Sequence, residues 1–290
     1  MKKKNKKNFK IIYKRVFINL IKPHKILPKI LKKINFYIAK KNYNINYFIA
    51  EQNKIFKKLG LNRTEGIKKI QKIKNGLNFE HRESPMSSEH EFLFSSLSLN
   101  NNIKIKKILE IGTFDGMNSL LLSKIFPNAK IDTIDLAYKD DDFKNFYNRK
   151  NKINKFIKYR NNNLKNTNSI RFMEMNSIHL INKKKKYDLI WVDGAHGYPI
   201  VCADIINCYH LINNEGAVIC DDIFMNLSTS KSDRMYESIA SYETLSLLKK
   251  EKLIDINFIY KRIDASSNCL INERKFIAIF KKNYLKSTSN

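Results

Sequence analysis

From residue 103 onward the apolar residues fall into short dense runs, separated by stretches in which they recur every three or four positions. The runs "IKKILEI", "KIDTIDL", "IRFMEM", "YDLIWV", "GAVICD", "LIDINFIY" and "KFIAIF" have the length of strands, and each contains isoleucine, as buried strands favour. "NSLLLSKIF", the polar stretch 141 to 160, "PIVCADIINCYHLI" and a segment within 233 to 250 have helical spacing, and Pro199 suits the first turn of the third. Strand and helix thus alternate, which predicts an α/β, doubly wound, mainly parallel sheet covered by helices on both faces. No internal repeat interrupts the alternation.

Residues 1 to 80 have a different pattern, with lysine-rich helical segments expected to break at Pro23, Pro28 and Gly60, followed by a loop near "HRESPMSSEHE". This places a boundary at residue 85, between a basic helical N-terminal extension (1–85) and a main domain (86–290). The helix "SEHEFLFSSLSL" is expected to cover the sheet first, and the polar segment 141 to 168 to be a solvated helix and loop.

Composition sharpens this division. With 43% hydrophobic residues in 290, the chain can bury a substantial core, which excludes a disordered protein. The net charge is +28, and residues 1 to 50 hold 15 Lys or Arg and no Asp or Glu. Such an arm suits an anionic partner. Apolar residues interleave its lysines, so an anionic membrane surface fits better than nucleic acid. Lys, Asn and Ile are abundant throughout, so solvated charge without a specific partner is the plain alternative. No apolar stretch approaches the ~20 residues needed to span a bilayer, and Lys14 and Arg15 interrupt the segment nearest to a secretory signal. Cys202, Cys208, Cys220 and Cys269 lack zinc-knuckle spacing and are expected to be small buried apolar residues. A cytoplasmic protein, peripheral on the inner face of the membrane, is the expectation.

Candidate chemistry gathers at two strand ends. In "ILEIGTFDGMNSLLLS" (108–123) a strand ends at Glu110, two glycines follow, and a helix begins near Met117 to Ser119. Glycines allow a tight turn and a close ligand, and free helix N-terminal amides favour a carboxylate or phosphate. Nineteen residues beyond Gly116, "KIDTID" ends in Asp135, placed to accept hydrogen bonds from ribose hydroxyls. Of eight glycines, Gly112, Gly116, Gly194, Gly197 and Gly216 fall in turns of this region. The spacing does not fit the dinucleotide fingerprint GxGxxG. The second strand end is "WVDGAHGYPIVCADI" (191–205), where Asp193 and His196 occupy a strand-to-helix turn. The acids Asp221 and Asp222 end the next strand, so three carboxylates converge on one edge of the pocket. Such a cluster is costly unless a cation offsets it, and oxygen ligands favour Mg²⁺ or another hard divalent ion.

The ExGxxxGxS pattern resembles the first motif of class I S-adenosylmethionine-dependent methyltransferases. That resemblance implies a Rossmann-like sheet with a final antiparallel strand. It assigns the donor to Glu110, Gly112, Thr113, Gly116, Ser119, Asp135 and Asp193, with Asn176 of "MEMNS" beside the adenine. Asp193-Gly-Ala-His196 with Asp221 and Asp222 resembles the metal-dependent O-methyltransferases related to the macrocin and mycinamicin sugar methyltransferases, over roughly residues 86 to 282. In them the first aspartate and the acidic pair hold the metal, and the histidine is the base. The resemblance therefore implies methyl transfer to a hydroxyl of a small acceptor, possible acceptors including a sugar or glycan precursor, assisted by a divalent cation such as Mg²⁺. Glu89 and His90 are expected to close the donor pocket. The alternatives are a nucleic-acid methyltransferase, disfavoured by the lack of an NPPY or DPPY turn and by the acidic cluster, and a non-catalytic donor-binding protein on a membrane surface.

Overall fold

The computed structural model describes residues 23–77, 88–145, 153–165, 167–226 and 238–283. Seven strands form one sheet: β1 (Lys107–Ile111), β2 (Lys130–Asp135), β3 (Ile170–Glu174), β4 (Tyr187–Val192), β5 (Ile212–Phe224), β6 (Ile254–Tyr260) and β7 (Lys275–Lys282), in the order β3-β2-β1-β4-β5-β7-β6. β7 runs antiparallel to both neighbours, and the pairs from β3 to β5 are parallel. This is the doubly wound sheet the alternation predicts. Strand order reverses between β1 and β4, and in open α/β sheets a ligand crevice forms at such a switch point, beyond the carboxyl ends of the strands.

Successive strand residues face opposite sides, so each strand feeds two cores. Leu109, Ile111, Ile190, Val192 and Val218 pack under α8 (Ile200–Leu211) and α9 (Ala240–Lys250). Ile108, Leu189, Trp191 and Ile219 pack on the other side, under α4 (Glu89–Ser98) and α5 (Met117–Ile125). Cys208, Cys220 and Cys269 are buried free thiols and Cys202 is half-buried. The polar segment after β2 holds two short helices, α6 (Asp141–Asn145) and α7 (Ile153–Lys165). Arg160 and Leu164 of α7 are buried, so this segment is not wholly the solvated one expected.

The N-terminal helices are α1 (Pro23–Lys41), α2 (Ile45–Lys58) and α3 (Arg63–Asn75). The break expected at Pro28 does not occur: α1 runs through it. Phe56, Leu61 and Ile70 belong to the same buried cluster as Leu93, Phe94 and Trp191, so residue 85 is not a boundary of packing. Gly66 lets α3 lie against α4, where an added Cβ would meet Ser96 Oγ at 2.2 Å and the Phe92 carbonyl oxygen at 2.7 Å. Arg63 forks onto Glu89, with both bonds 2.7 Å, and Gln52 joins Glu89 to the backbone of Tyr260. Residues 1 to 22 of the basic arm lie outside the described residues.

Candidate active site

The turn after β1 is fastened from below. Glu110 is fully buried between the sheet and α5, and its carboxylate accepts hydrogen bonds from Asn118 (2.8 Å), Thr133 (2.5 Å) and Ser119. Burial pushes its pKa up to about 7, against the opposing pull of those hydrogen bonds. Glu110 and Ser119, expected at the donor, are therefore spent on holding the turn: their polar atoms point into the layer beneath it. Gly112, Thr113, Phe114, Asp115 and Asn118 line the cavity above, with Asp193, Asp221, His90, Glu91, Lys74 and Lys261. Thr113 is tied by its hydroxyl to Thr133 at 2.7 Å. Asp135, at the end of β2, accepts from the Phe114 and Leu136 backbone amides, each at 2.8 Å.

The glycines answer a different demand from the one the sequence suggests. Gly112 has φ +98°, and a Cβ there would stand 2.2 Å from the Asp193 carbonyl oxygen. What needs the space is the turn after β4, whose Asp193 amide bonds the Ile111 carbonyl at 2.9 Å. Gly116, φ +76°, begins α5 where a Cβ would press on Leu164 and the Arg160 carbonyl of α7. Gly194 packs on Ile111, while a Cβ on Gly197 would meet nothing within 4 Å. Asn176 is exposed and caps the 3-10 helix Ser177–Asn182 by accepting from the Ile178 amide, which accounts for its place by local structure alone.

At the second turn His196 is only 5% exposed, with Nε2 3.5 Å from Asp193 Oδ1 and 3.8 Å from Asp222 Oδ2. Burial holds the imidazole pKa below its ordinary value despite Asp222 and Asp221. Burial and Asp221 raise Asp193 well above the usual carboxylate range. The acidic pair is built by a bulge. Cys220 pairs with Ala278 and Ile223 with Phe276, so β5 carries an extra residue, and Asp222 takes φ +53°. Neighbouring strand side chains ordinarily diverge, but here both carboxylates meet one ammonium: Lys261 Nζ lies 2.5 Å from Asp221 Oδ2 and 2.5 Å from Asp222 Oδ1. Lys275 adds a second ammonium 3.2 Å from Asp222 Oδ1. The acids expected to ligate a divalent ion thus already face a buried cation. Among the described residues no group of three His, Cys, Asp or Glu could hold a metal ion. The residues present do not fit the metal that the resemblance implies.

Residues 109–223, which span both turns and the acidic pair, match a family model described as a methyltransferase domain. Over those residues the chain is similar to that domain. Solved structures similar to it include SAH-bound methyltransferase PaMTH1 of Podospora anserina, 13% identical over 88% of this chain and 96% of its own, with a TM-score of 0.48. The O-methyltransferase TomG of Streptomyces achromogenes, solved with SAM, is 11% identical over 87% of this chain and 96% of its own, with a TM-score of 0.48. The O-methyltransferase of Bacillus cereus, solved with SAH, is 16% identical over 83% and 100%, with a TM-score of 0.44. No curated protein matches the sequence.

The cavity is closed by residues the sequence motifs leave out. His90 lines it as expected, its ring 5.0 Å from that of Trp191, and burial lowers its pKa to about 4. Glu91 lines it in place of Glu89, which turns to Arg63 and Gln52 instead. Lys74 reaches across from α3 to bond Glu91 at 2.6 Å. Lys261 had no local signal in a chain this rich in lysine. Only the β5-β7-β6 order, which brings the end of β6 opposite the bulge, singles it out.

Proposed function

We propose that the protein transfers the methyl group of S-adenosylmethionine to a hydroxyl of a small acceptor, a sugar or glycan precursor being the first class to test, with His196 taking the hydroxyl proton. The observation that carries this is the contact between the two turns. Gly112 and Asp193 touch backbone to backbone, so a donor seated over Gly112 to Asn118 would have its reacting end beside the Asp193–His196 pair. The cavity is bordered by backbone at Gly112 and by the polar side chains of Thr113, Asp115 and Asn118, with Asp135 beyond, a donor set that fits a ligand combining an amino-acid end with a ribose. When bound, the donor supplies a sulfonium-activated methyl group.

The chain's own part is then to align the acceptor oxygen and take its proton. His196 suits this because burial holds its pKa below the ordinary value, which favours the neutral imidazole that can accept a proton. Alignment of oxygen, methyl and sulfur accounts for the remainder of the rate. No step is routed through a divalent ion, since Lys261 holds the acidic pair. In a radiolabelled donor assay against hydroxylated acceptors, His196→Ala is expected to lower turnover ~10²- to 10⁴-fold while calorimetric donor affinity stays unchanged. Equal turnover would return His196 to a structural role. Asp135→Ala is expected to weaken donor binding, and equal affinity would remove the ribose contact.

We also propose that the N-terminal region docks on anionic membranes. In its support, Leu27, Ile30, Leu31, Ile34 and Ile38 form a stripe along α1, each between 47% and 60% exposed. Lys32 and Lys33 fall on the opposite face by helical spacing, and Lys32 reaches Glu273 of the domain, which turns the apolar stripe outward.

A further inference from the structure

We propose that Lys261 is the resident cation of the acidic cluster, and that Asp193, Asp221 and Asp222 take no divalent metal ion while it stands there. Lys261 is 4% exposed and follows directly on β6, where its backbone is held from two sides: its amide bonds the Lys275 carbonyl at 2.9 Å, and its carbonyl accepts the Glu89 amide at 3.0 Å. From that fixed base the side chain reaches the two carboxylates that the β5 bulge turns to one side. A left-handed backbone at a non-glycine residue such as Asp222 is strained and persists where the surroundings determine it. Here it makes adjacent acids converge on the ammonium.

Charge gives the second argument. The adjacent carboxylates of Asp221 and Asp222 face two ammoniums, those of Lys261 and Lys275. Those two positive charges match what a divalent ion would bring to the pair, so the electrostatic reason for a metal is already met within the chain. Occupancy gives the third. An octahedral ion draws its oxygens in to about 2.0–2.1 Å, whereas one oxygen of each acid of the pair is bonded to Lys261. A metal could enter only by expelling a buried ammonium that would leave two strong partners, a loss that is expensive in a buried site. This inference stands apart from methyl transfer, because its readout is a bound ion.

The test is titration of the full-length protein with Mn²⁺, following free ion by electron paramagnetic resonance, for the wild type, Asp222→Asn and Lys261→Met. The expected result is no difference between wild type and Asp222→Asn, and one additional ion per chain, bound at least about 10-fold more tightly, in Lys261→Met. A wild-type site that Asp222→Asn abolishes would overturn the proposal. So would a Lys261→Met chain, folded by circular dichroism, that gains no ion. If that variant does not fold, the comparison of wild type with Asp222→Asn decides alone.

Discussion

At Gly112 a methyl group would have to share space with the carbonyl oxygen of Asp193, on a backbone already at φ +98°. Neither partner is a side chain that can swing away. Gly112→Ala is therefore expected to cost roughly 2–4 kcal/mol in urea unfolding, while Gly197→Ala, facing open space, should stay within about 0.5 kcal/mol. Both glycines were legible as turn residues in the sequence. What each turn packs against was not, because that depends on which strand lies alongside. Glu110 makes a second prediction. Its folded pKa of about 7 lies above the ordinary 4.5, so its favourable contribution is complete below pH 4.5 and is lost as pH rises toward 7, where the unfolded chain gives up a proton that the folded one keeps. The loss is on the order of 3 kcal/mol. Glu110→Gln should flatten the fall in urea midpoint between pH 5 and pH 8, and an unchanged slope would mean that the carboxyl ionises freely in the fold.

At the scale of elements, the central strands were legible because burial on both faces leaves them dense in isoleucine and leucine, and "LIDINFIY" and "KFIAIF" emerge as β6 and β7 where expected. α2 and α3 were visible as helices, but not as part of the core. α3 has only Ile67, Ile70 and Ile73 as large apolar residues to show a buried face, set among lysines. The lysines themselves take part in the packing: Lys69 bonds Ser98 and the Ile125 carbonyl, and Lys74 bonds Glu91. Deleting residues 1 to 41 removes α1 yet spares Tyr43, whose hydroxyl bonds the Ile263 carbonyl, so the melting midpoint should move by no more than about 3 °C. Deleting residues 1 to 75 uncovers Trp191, Phe94 and Leu93 and should leave a chain without a cooperative thermal transition by circular dichroism.

The whole molecule is strongly basic, and no described helix is long and apolar enough to cross a membrane. If α1 docks on a bilayer, sedimentation should capture the full chain on vesicles containing phosphatidylserine and release it as salt rises, since lysine attraction is screened while apolar insertion is not. Leu31→Glu should weaken capture at every salt concentration, and equal capture of a chain lacking residues 1 to 50 would dismiss the arm as the anchor. The stitching of the N-terminal helices to the end of β6 also has a bearing on how the chain is made. Gln52 finds its partner at Tyr260, 208 residues later. At about 5–20 residues per second, a ribosome takes on the order of ten to forty seconds to supply it. For that interval Phe56 and Ile70 lack the strands they finally cover, so the first helices synthesised are among the last to settle, and a helper that shields apolar helices on nascent chains would find its substrate there.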